Sequence, residues 1–171
     1  MSTAYALRPA TPADAAAVLS IYAPFVEHTA VSFETAVPTV EEMADRIATT
    51  RASWQWLVAE RDGACAGYAY GGSHRARHAY RYSTEVSAYI APGHHRQGLG
   101  RALYERLFED LAALGYCSAY AGIVLPNEAS VALHRRVGFA PIGVFPRVGY
   151  KLQRWHDVAW FYRPLREEPL A

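Results

Sequence analysis

The sequence predicts an α/β fold, and three features carry that prediction. Strand-like and helix-like stretches alternate along the chain. A leucine-striped helix spans residues 98–114, and a glycine-containing loop joins it to the alternating strand before it. With 171 residues and 18.9 kDa the chain is long enough to bury a core. It shows no repeat, low-complexity tract or dividing linker, so residues 1–171 read as one domain with a flexible tail from about residue 164. Apolar residues at 51% and charged residues at 19% exclude a disordered chain, and a net charge of +1 weighs against a nucleic-acid partner. No apolar run reaches the roughly 18 residues of a membrane span. The start, Met-Ser-Thr-Ala-Tyr-Ala-Leu-Arg-Pro, lacks the pattern of a secretory signal, so a cytoplasmic location is expected. Cys65 and Cys117 are too few for a disulfide framework and read as reduced thiols.

Each element has its own signal. Tyr5–Arg8 has strand character. Thr11-Pro12-Ala13-Asp14 is a helix start, and Ala17, Val18, Ile21 and Tyr22 follow at helical spacing until Pro24, which is expected to end or bend the helix. Thr39-Val40-Glu41-Glu42 is a capping box opening a second helix near 40–50. Trp54–Glu60 and Cys65–Tyr70 flank the turn Arg61-Asp62-Gly63 and read as a hairpin, broken by Gly71-Gly72-Ser73. Ser73–Arg81 is a polar, basic loop and Ser83–Ala91 a central strand. Leu99, Leu103, Leu107 and Leu111 define the long helix, which Ala102, Phe108 and Leu114 widen. Ser118–Leu125 is a strand, Val131–Val137 a short helix, and Phe139–Tyr150 with Trp155–Tyr162 a closing hairpin.

The most specific segment is Ile90-Ala91-Pro92-Gly93-His94-His95-Arg96-Gln97-Gly98-Leu99-Gly100-Arg101. A strand–loop–helix junction offers unpaired backbone N–H groups at the positive end of a helix dipole. Gly98 and Gly100 let the main chain approach an anion, and Arg96 and Arg101 add charge, so the segment reads as a phosphate or pyrophosphate site. It lacks the Gly-Lys-Ser/Thr of a P-loop and the third glycine of a dinucleotide fingerprint.

This loop resembles the acetyl-CoA pyrophosphate loop of the GNAT acyltransferases, Gln/Arg-x-x-Gly-x-Gly/Ala, with His95 at the first position. The match continues through Asn127, Ser130, Val131, Leu133-His134 and Val137-Gly138-Phe139. Four further segments resemble the phosphinothricin/methionine sulfoximine N-acetyltransferases. They are Ser32-Phe33-Glu34-Thr35, Arg75-Ala76-Arg77-His78-Ala79-Tyr80, Ser83–Ile90, and Gly149-Tyr150-Lys151 with Trp155-His156-Asp157-Val158. The resemblance covers residues 7 to 162. It implies a GNAT-like acyl-CoA N-acyltransferase fold, a mixed central sheet flanked by helices, and a homodimer.

Acetyl transfer from a thioester to an amine needs a neutral amine, a donor for the carbonyl's developing charge, and a proton for the leaving thiolate. Glu85, on the central strand just before the loop, is the candidate general base, directly or through water. His134 stands where many members of the superfamily carry a tyrosine that protonates the sulfur, and it is the second catalytic candidate beside a purely packed imidazole. The cofactor set for acetyl-CoA is the backbone of Ala88, Tyr89 and Ile90, the loop His95, Arg96, Gln97, Gly98, Leu99, Gly100 and Arg101, then Asn127 and Arg136. The strand residues would pair with the pantetheine amides as with an added strand. Arg75, Arg77 and Tyr80 are candidates to hold an anionic acceptor, with Phe33 capping the pocket. Trp155, His156 and Asp157 are expected to fix the closing hairpin or a subunit contact. The histidines show no metal-ligand spacing, so no metal is expected. The resulting expectation is direct acetylation of a small amino-acid-like α-amine of the phosphinothricin, methionine sulfoximine or methionine sulfone type. The alternatives are a protein or peptide amine as acceptor, and a non-catalytic CoA-sensing module.

Overall fold

The computed structural model describes residues 4–170. Strand β1 (Ala6–Pro9) passes through a 3-10 turn (Pro12–Asp14) into α1 (Ala15–His28), followed by α2 (Val40–Ser53). The hairpin β2 (Trp56–Arg61) and β3 (Ala64–Ser73) leads to β4 (Ser83–Ile90) and α3 (Leu99–Ala113). Then come β5 (Ser118–Val124), α4 (Glu128–Arg136), and the hairpin β6 (Ala140–Lys151) and β7 (Arg154–Pro164). The seven strands form one sheet in the order β1-β2-β3-β4-β5-β7-β6, antiparallel throughout except where β4 runs parallel to β5. This is the mixed, helix-flanked sheet expected from the sequence. No helix among the described residues is long and apolar enough to cross a membrane.

The sheet has a core on each face because strand side chains alternate. Leu57 and Ala59 of β2, with Ala69, Val86, Ala121 and Ile123, pack under Leu99, Leu103, Leu107 and Leu111 of α3. Trp56 and Val58 of β2, with Tyr68, pack under Val18, Ile21 and Tyr22 of α1 and Met43 and Ile47 of α2. The α3 stripe is thus buried as its spacing requires, while Leu114 stays exposed beyond the helix.

Helix starts are local chemistry. Thr11 N donates to Asp14 Oδ2 at 2.7 Å, and the Arg8 guanidinium bonds the same carboxylate at 2.9 and 2.7 Å, holding its pKa down to about 2. At α2 the capping box is complete: Glu42 N donates to Thr39 Oγ1 (3.1 Å) and Thr39 N to Glu42 Oε2 (2.8 Å).

The structure bears on three of the sequence expectations. Pro24 lies inside α1 and does not end it. The proline removes one helical N–H, but the buried stripe Val18, Ile21, Tyr22 and Val26 carries the helix on to His28. Gly71-Gly72-Ser73 does not break β3. A Cβ at Gly71 would lie 3.0 Å from Leu111 Cδ2 and 3.0 Å from Thr84 Oγ1, so this glycine admits α3 against the sheet. Residues 165 and 166 are tied to the body of the protein. Leu165 N donates to Cys117 O at 2.8 Å, and Arg166 Nη1 to Ala112 O at 3.1 Å. Both cysteines are free thiols, half-buried.

Candidate active site

The parallel pair β4–β5 is short. Register runs through Ser83↔Ser118, Thr84↔Ala119 and Glu85↔Tyr120 and stops there. Beyond it, β4 pairs only with β3, through Gly67↔Ile90, and β5 pairs with β7. The two central strands therefore part immediately after Glu85, leaving one edge of residues 86–90 without a strand partner. Ala91 N donates to Ala66 O on β3 (2.9 Å), whereas Tyr82 O accepts from Cys117 N on the β5 side (2.8 Å). Strand alternation then turns the main-chain groups of Val86, Ala88 and Ile90 into the gap and those of Ser87 and Tyr89 toward β3. Tyr89 is a correction. Its backbone is engaged with β3, and its ring packs edge-on against Tyr22 and Phe25 (5.2 and 5.1 Å). Val86 takes its place in the open edge.

The gap ends at the loop that starts α3. The first helical bond there is Ala102 N to Gly98 O at 3.0 Å. Among the described residues, the backbone N–H groups of His95 through Arg101 have no protein acceptor. Gly98, the N-cap residue, holds φ +80°, the left-handed region. At Gly100 a Cβ would lie 2.9 Å from Leu133 Cδ2, so this glycine also lets α4 close on α3. The other loop side chains brace the turn. Gln97 Nε2 donates to Gly93 O (2.7 Å), and Gln97 Oε1 accepts from Tyr5 Oη (2.9 Å) and Arg61 Nη1 (2.7 Å). The His95 ring bonds Ile90 O through Nε2 at 3.1 Å, tying the loop to the end of β4. Arg96 and Arg136 are exposed, Arg101 is paired with Glu105 (2.6 Å), and Leu99 is core, contributing its amide alone.

Glu85 points to the face opposite α3, on the side of α1 and α2. Its Oε1 lies 2.9 Å from His74 Nδ1, a contact that the sequence reading missed. The His74 ring stacks on Tyr120 (centroids 4.4 Å apart) and meets Tyr80 and Trp160 edge-on at 5.9 and 6.2 Å. Tyr80 is thereby brought beside the Glu85–His74 pair. Arg75 and Arg77 sit on the same loop, exposed, and neither has a carboxylate partner among the described residues. The Phe33 ring fills the place a Cβ on Gly149 would take and tilts toward His156 at 6.2 Å. Its loop is pinned by Lys151, whose Nζ donates to Val26 O (2.6 Å) and Ser32 O (2.7 Å). His156 is buried and bonds Lys151 O at 2.9 Å, and Asp157 Oδ1 accepts from Arg147 N at 2.8 Å, so both fix the closing hairpin.

His134 is packed into the core. Its Nδ1 lies 2.8 Å from Ser130 O and must donate there, leaving Nε2 to accept from Tyr104 Oη at 3.0 Å. Phe139 flanks the ring at 5.2 Å. This arrangement is that of a satisfied neutral imidazole, and relaying a proton would break the Tyr104 bond. Asn127 caps α4, its Oδ1 accepting from Ser130 N at 3.1 Å. Burial draws the His134 pKa below its usual 6.5. The unfolded chain therefore takes up this proton first, and the stability it confers is complete above 6.5 and lost as the pH falls below that value. Urea unfolding at about pH 7.5 and 5.5 is expected to show a larger acid loss for the parent than for His134→Gln; equal losses refute this.

No metal-holding group of three or more His, Cys, Asp or Glu occurs among the described residues. A split strand pair, open amides at the start of a long helix and a carboxylate beside the split are the features an acyl-CoA-dependent transferase site would need. The acetyltransferase (GNAT) domain pattern matches residues 7–160, and the chain belongs to that family. It is 41% identical over 157 residues to a phosphinothricin N-acetyltransferase of Streptomyces viridochromogenes, covering 92% of this chain and 86% of that protein. It is 36% identical over 162 residues to an L-methionine sulfoximine/L-methionine sulfone acetyltransferase of Salmonella typhimurium, covering 94% and 95%. The structure of a GNAT superfamily phosphinothricin acetyltransferase from Sinorhizobium meliloti, in complex with AcCoA, superposes with a TM-score of 0.92. Its sequence is 34% identical, with 98% of this chain and 94% of that chain covered. The chain is accordingly a GNAT N-acetyltransferase.

Proposed function

We propose that the enzyme moves the acetyl group of acetyl-CoA directly to the α-amine of a small, anionic amino-acid-like acceptor of the phosphinothricin, methionine sulfoximine or methionine sulfone type. The observation that carries this is the run of open amides from His95 to Arg101 lying at the end of a strand that splits from its neighbour at Glu85. Those amides, with the exposed Arg96, fit a diphosphate, and the open edge of Val86, Ala88 and Ile90 fits an extended amide-bearing arm. Bound acetyl-CoA supplies an activated acetyl thioester. Glu85, beside the split, is the carboxylate that drives loss of the proton from the acceptor ammonium, and a main-chain N–H of the open edge faces the thioester oxygen. His134 takes a positioning role, holding α4 to α3 through Tyr104. No acyl-enzyme is needed: burial raises the Cys65 thiol pKa, which disfavours the thiolate nucleophile.

Arg75 and Arg77, unpaired and on the loop that carries Tyr80 and His74, fit the acceptor's carboxylate or phosphinate. This favours a small anionic acceptor over a peptide amine, and the site as a whole argues against a non-catalytic sensor. A panel of amino-acid analogues with acetyl-CoA, read as released thiol, tests the reading. Arg75→Ala/Arg77→Ala is expected to raise the acceptor KM about 10²-fold while leaving the acetyl-CoA KM within a factor of about 2. Equal effects on both constants refute it.

A second copy of the chain is the proposed partner. The edge strand β6 exposes Ile142, Val144, Phe145 and Val148. A monomeric mass by light scattering removes that part.

A further inference from the structure

We infer that the proton lost by the acceptor ammonium ends on His74 Nε2, with Glu85 as the carboxylate that orients and charges the imidazole. The inference deepens the acetyl-transfer reading and rests on it. A carboxylate accepts hydrogen bonds, so the 2.9 Å contact of Glu85 Oε1 with His74 Nδ1 places a hydrogen on Nδ1. In the neutral ring Nε2 is then the lone-pair nitrogen, since the ring's hydrogen bond to Glu85 runs through Nδ1. The ring cannot turn freely: Tyr120 lies flat against it, 13° from parallel, and Tyr80 and Trp160 close its edges. The His74 side chain is 12% exposed and the Glu85 side chain 39%, so the carboxylate is the wetter partner and the imidazole the sheltered one.

The groups facing His74 are few. They are Glu85 from β4, Tyr80 from the 78–80 turn, Tyr120 from β5 and the uncharged Trp160 from β7, with Arg75 next to it in sequence. Glu85 is the charge in direct contact. An imidazole is ordinarily the stronger base than a carboxylate, and an oriented carboxylate behind Nδ1–H stabilises the charge formed at Nε2. The step balances. The ammonium N–H bond breaks and its electron pair stays on the amine nitrogen, while an N–H bond forms at Nε2, directly or through one water. The amine attacks the thioester carbonyl and loses its second proton to the departing sulfur. His74 returns its proton to solvent, so one proton is released per acetyl group transferred.

His74→Asn keeps an N–H near the Nδ1 position for Glu85 but has no nitrogen to accept a proton. His74→Phe keeps the stack on Tyr120 without the hydrogen bond. Both are assayed with acetyl-CoA and the best acceptor of the panel, for kcat, both KM values, acetyl-CoA affinity and the acid limb of the kcat–pH profile. A drop in kcat of about 10²-fold in both, with acetyl-CoA affinity unchanged and the acid limb lost, supports the inference. So does partial recovery of a His74→Ala variant by added imidazole. Turnover retained in His74→Asn, while Glu85→Gln is impaired, overturns it and leaves Glu85 alone as the base. Turnover retained in Glu85→Gln overturns the acetyl-transfer assignment of this centre as well.

Discussion

Glu85→Gln lowers kcat by about 10²- to 10³-fold, with acetyl-CoA affinity unchanged within a factor of about 2. Glutamine keeps the size of the side chain and still accepts from His74 Nδ1, so the packing around the pair survives; what disappears is the charge. The amine must lose a proton before it can attack, and without the carboxylate neither member of the pair favours taking it. In the proposed site cofactor affinity is set elsewhere, by the amides from His95 onward, which have no acceptor within the described protein and lie past the end of β4. Loss of kcat without loss of binding is therefore the signature of a group used in the chemical step. The measurement is steady-state turnover at saturating concentrations of both substrates beside a calorimetric Kd for acetyl-CoA. If both constants move together, Glu85 is a structural residue.

Much of this arrangement is legible in the sequence because it is encoded locally. Leucines every fourth residue fix α3 and its buried face, and the Thr39/Glu42 pair fixes the start of α2. The alternation of Ser83–Ile90 fixes β4, and the glycine at 98 marks where the loop turns into a helix. What is not legible depends on pairing across distance. His74 reads as part of a basic loop, and only the β3–β4 register, with Gly72 opposite Glu85, brings it back against the carboxylate. Glycines mislead for a related reason. Gly71 and Gly72 look like a strand breaker, yet Gly71 is small because Leu111 of a later helix lies on it. Gly100 reads as clearance for an anion, and the clearance it also gives Leu133 has no local trace. Tyr89 is a similar case: alternation gives its side chain a face, but which edge its amide serves is known only once β3 is paired. His134 is a catalytic candidate through the resemblance alone, and its bond to Tyr104 thirty positions earlier has no local trace.

Gly98→Val separates the loop's conformation from its charge. At φ +80° an L-residue places its Cβ against its own backbone, at about 1–2 kcal/mol, and a β-branched side chain fares worse. Space is not the obstacle, since nothing lies within 4 Å of a Cβ at this position. The peptide relieves the strain by rotating toward negative φ, and the amides on either side, from Gln97 to Arg101, then no longer converge. Because these N–H groups have no partner within the protein, the fold loses few hydrogen bonds when they turn; the ligand loses them. The expected result is a rise of about 10- to 100-fold in acetyl-CoA Kd, with acceptor KM unaffected. Gly63→Val is the matched control. It too has positive φ (+78°) and nothing within 4 Å, but it lies in the β2–β3 turn, outside the run of open amides from His95 to Arg101. Both variants lower the melting temperature by a similar amount, and only Gly98→Val weakens acetyl-CoA. Equal acetyl-CoA affinity in the two variants would show that the geometry of this loop does not determine cofactor binding, and the diphosphate would have to be sought at another part of the surface.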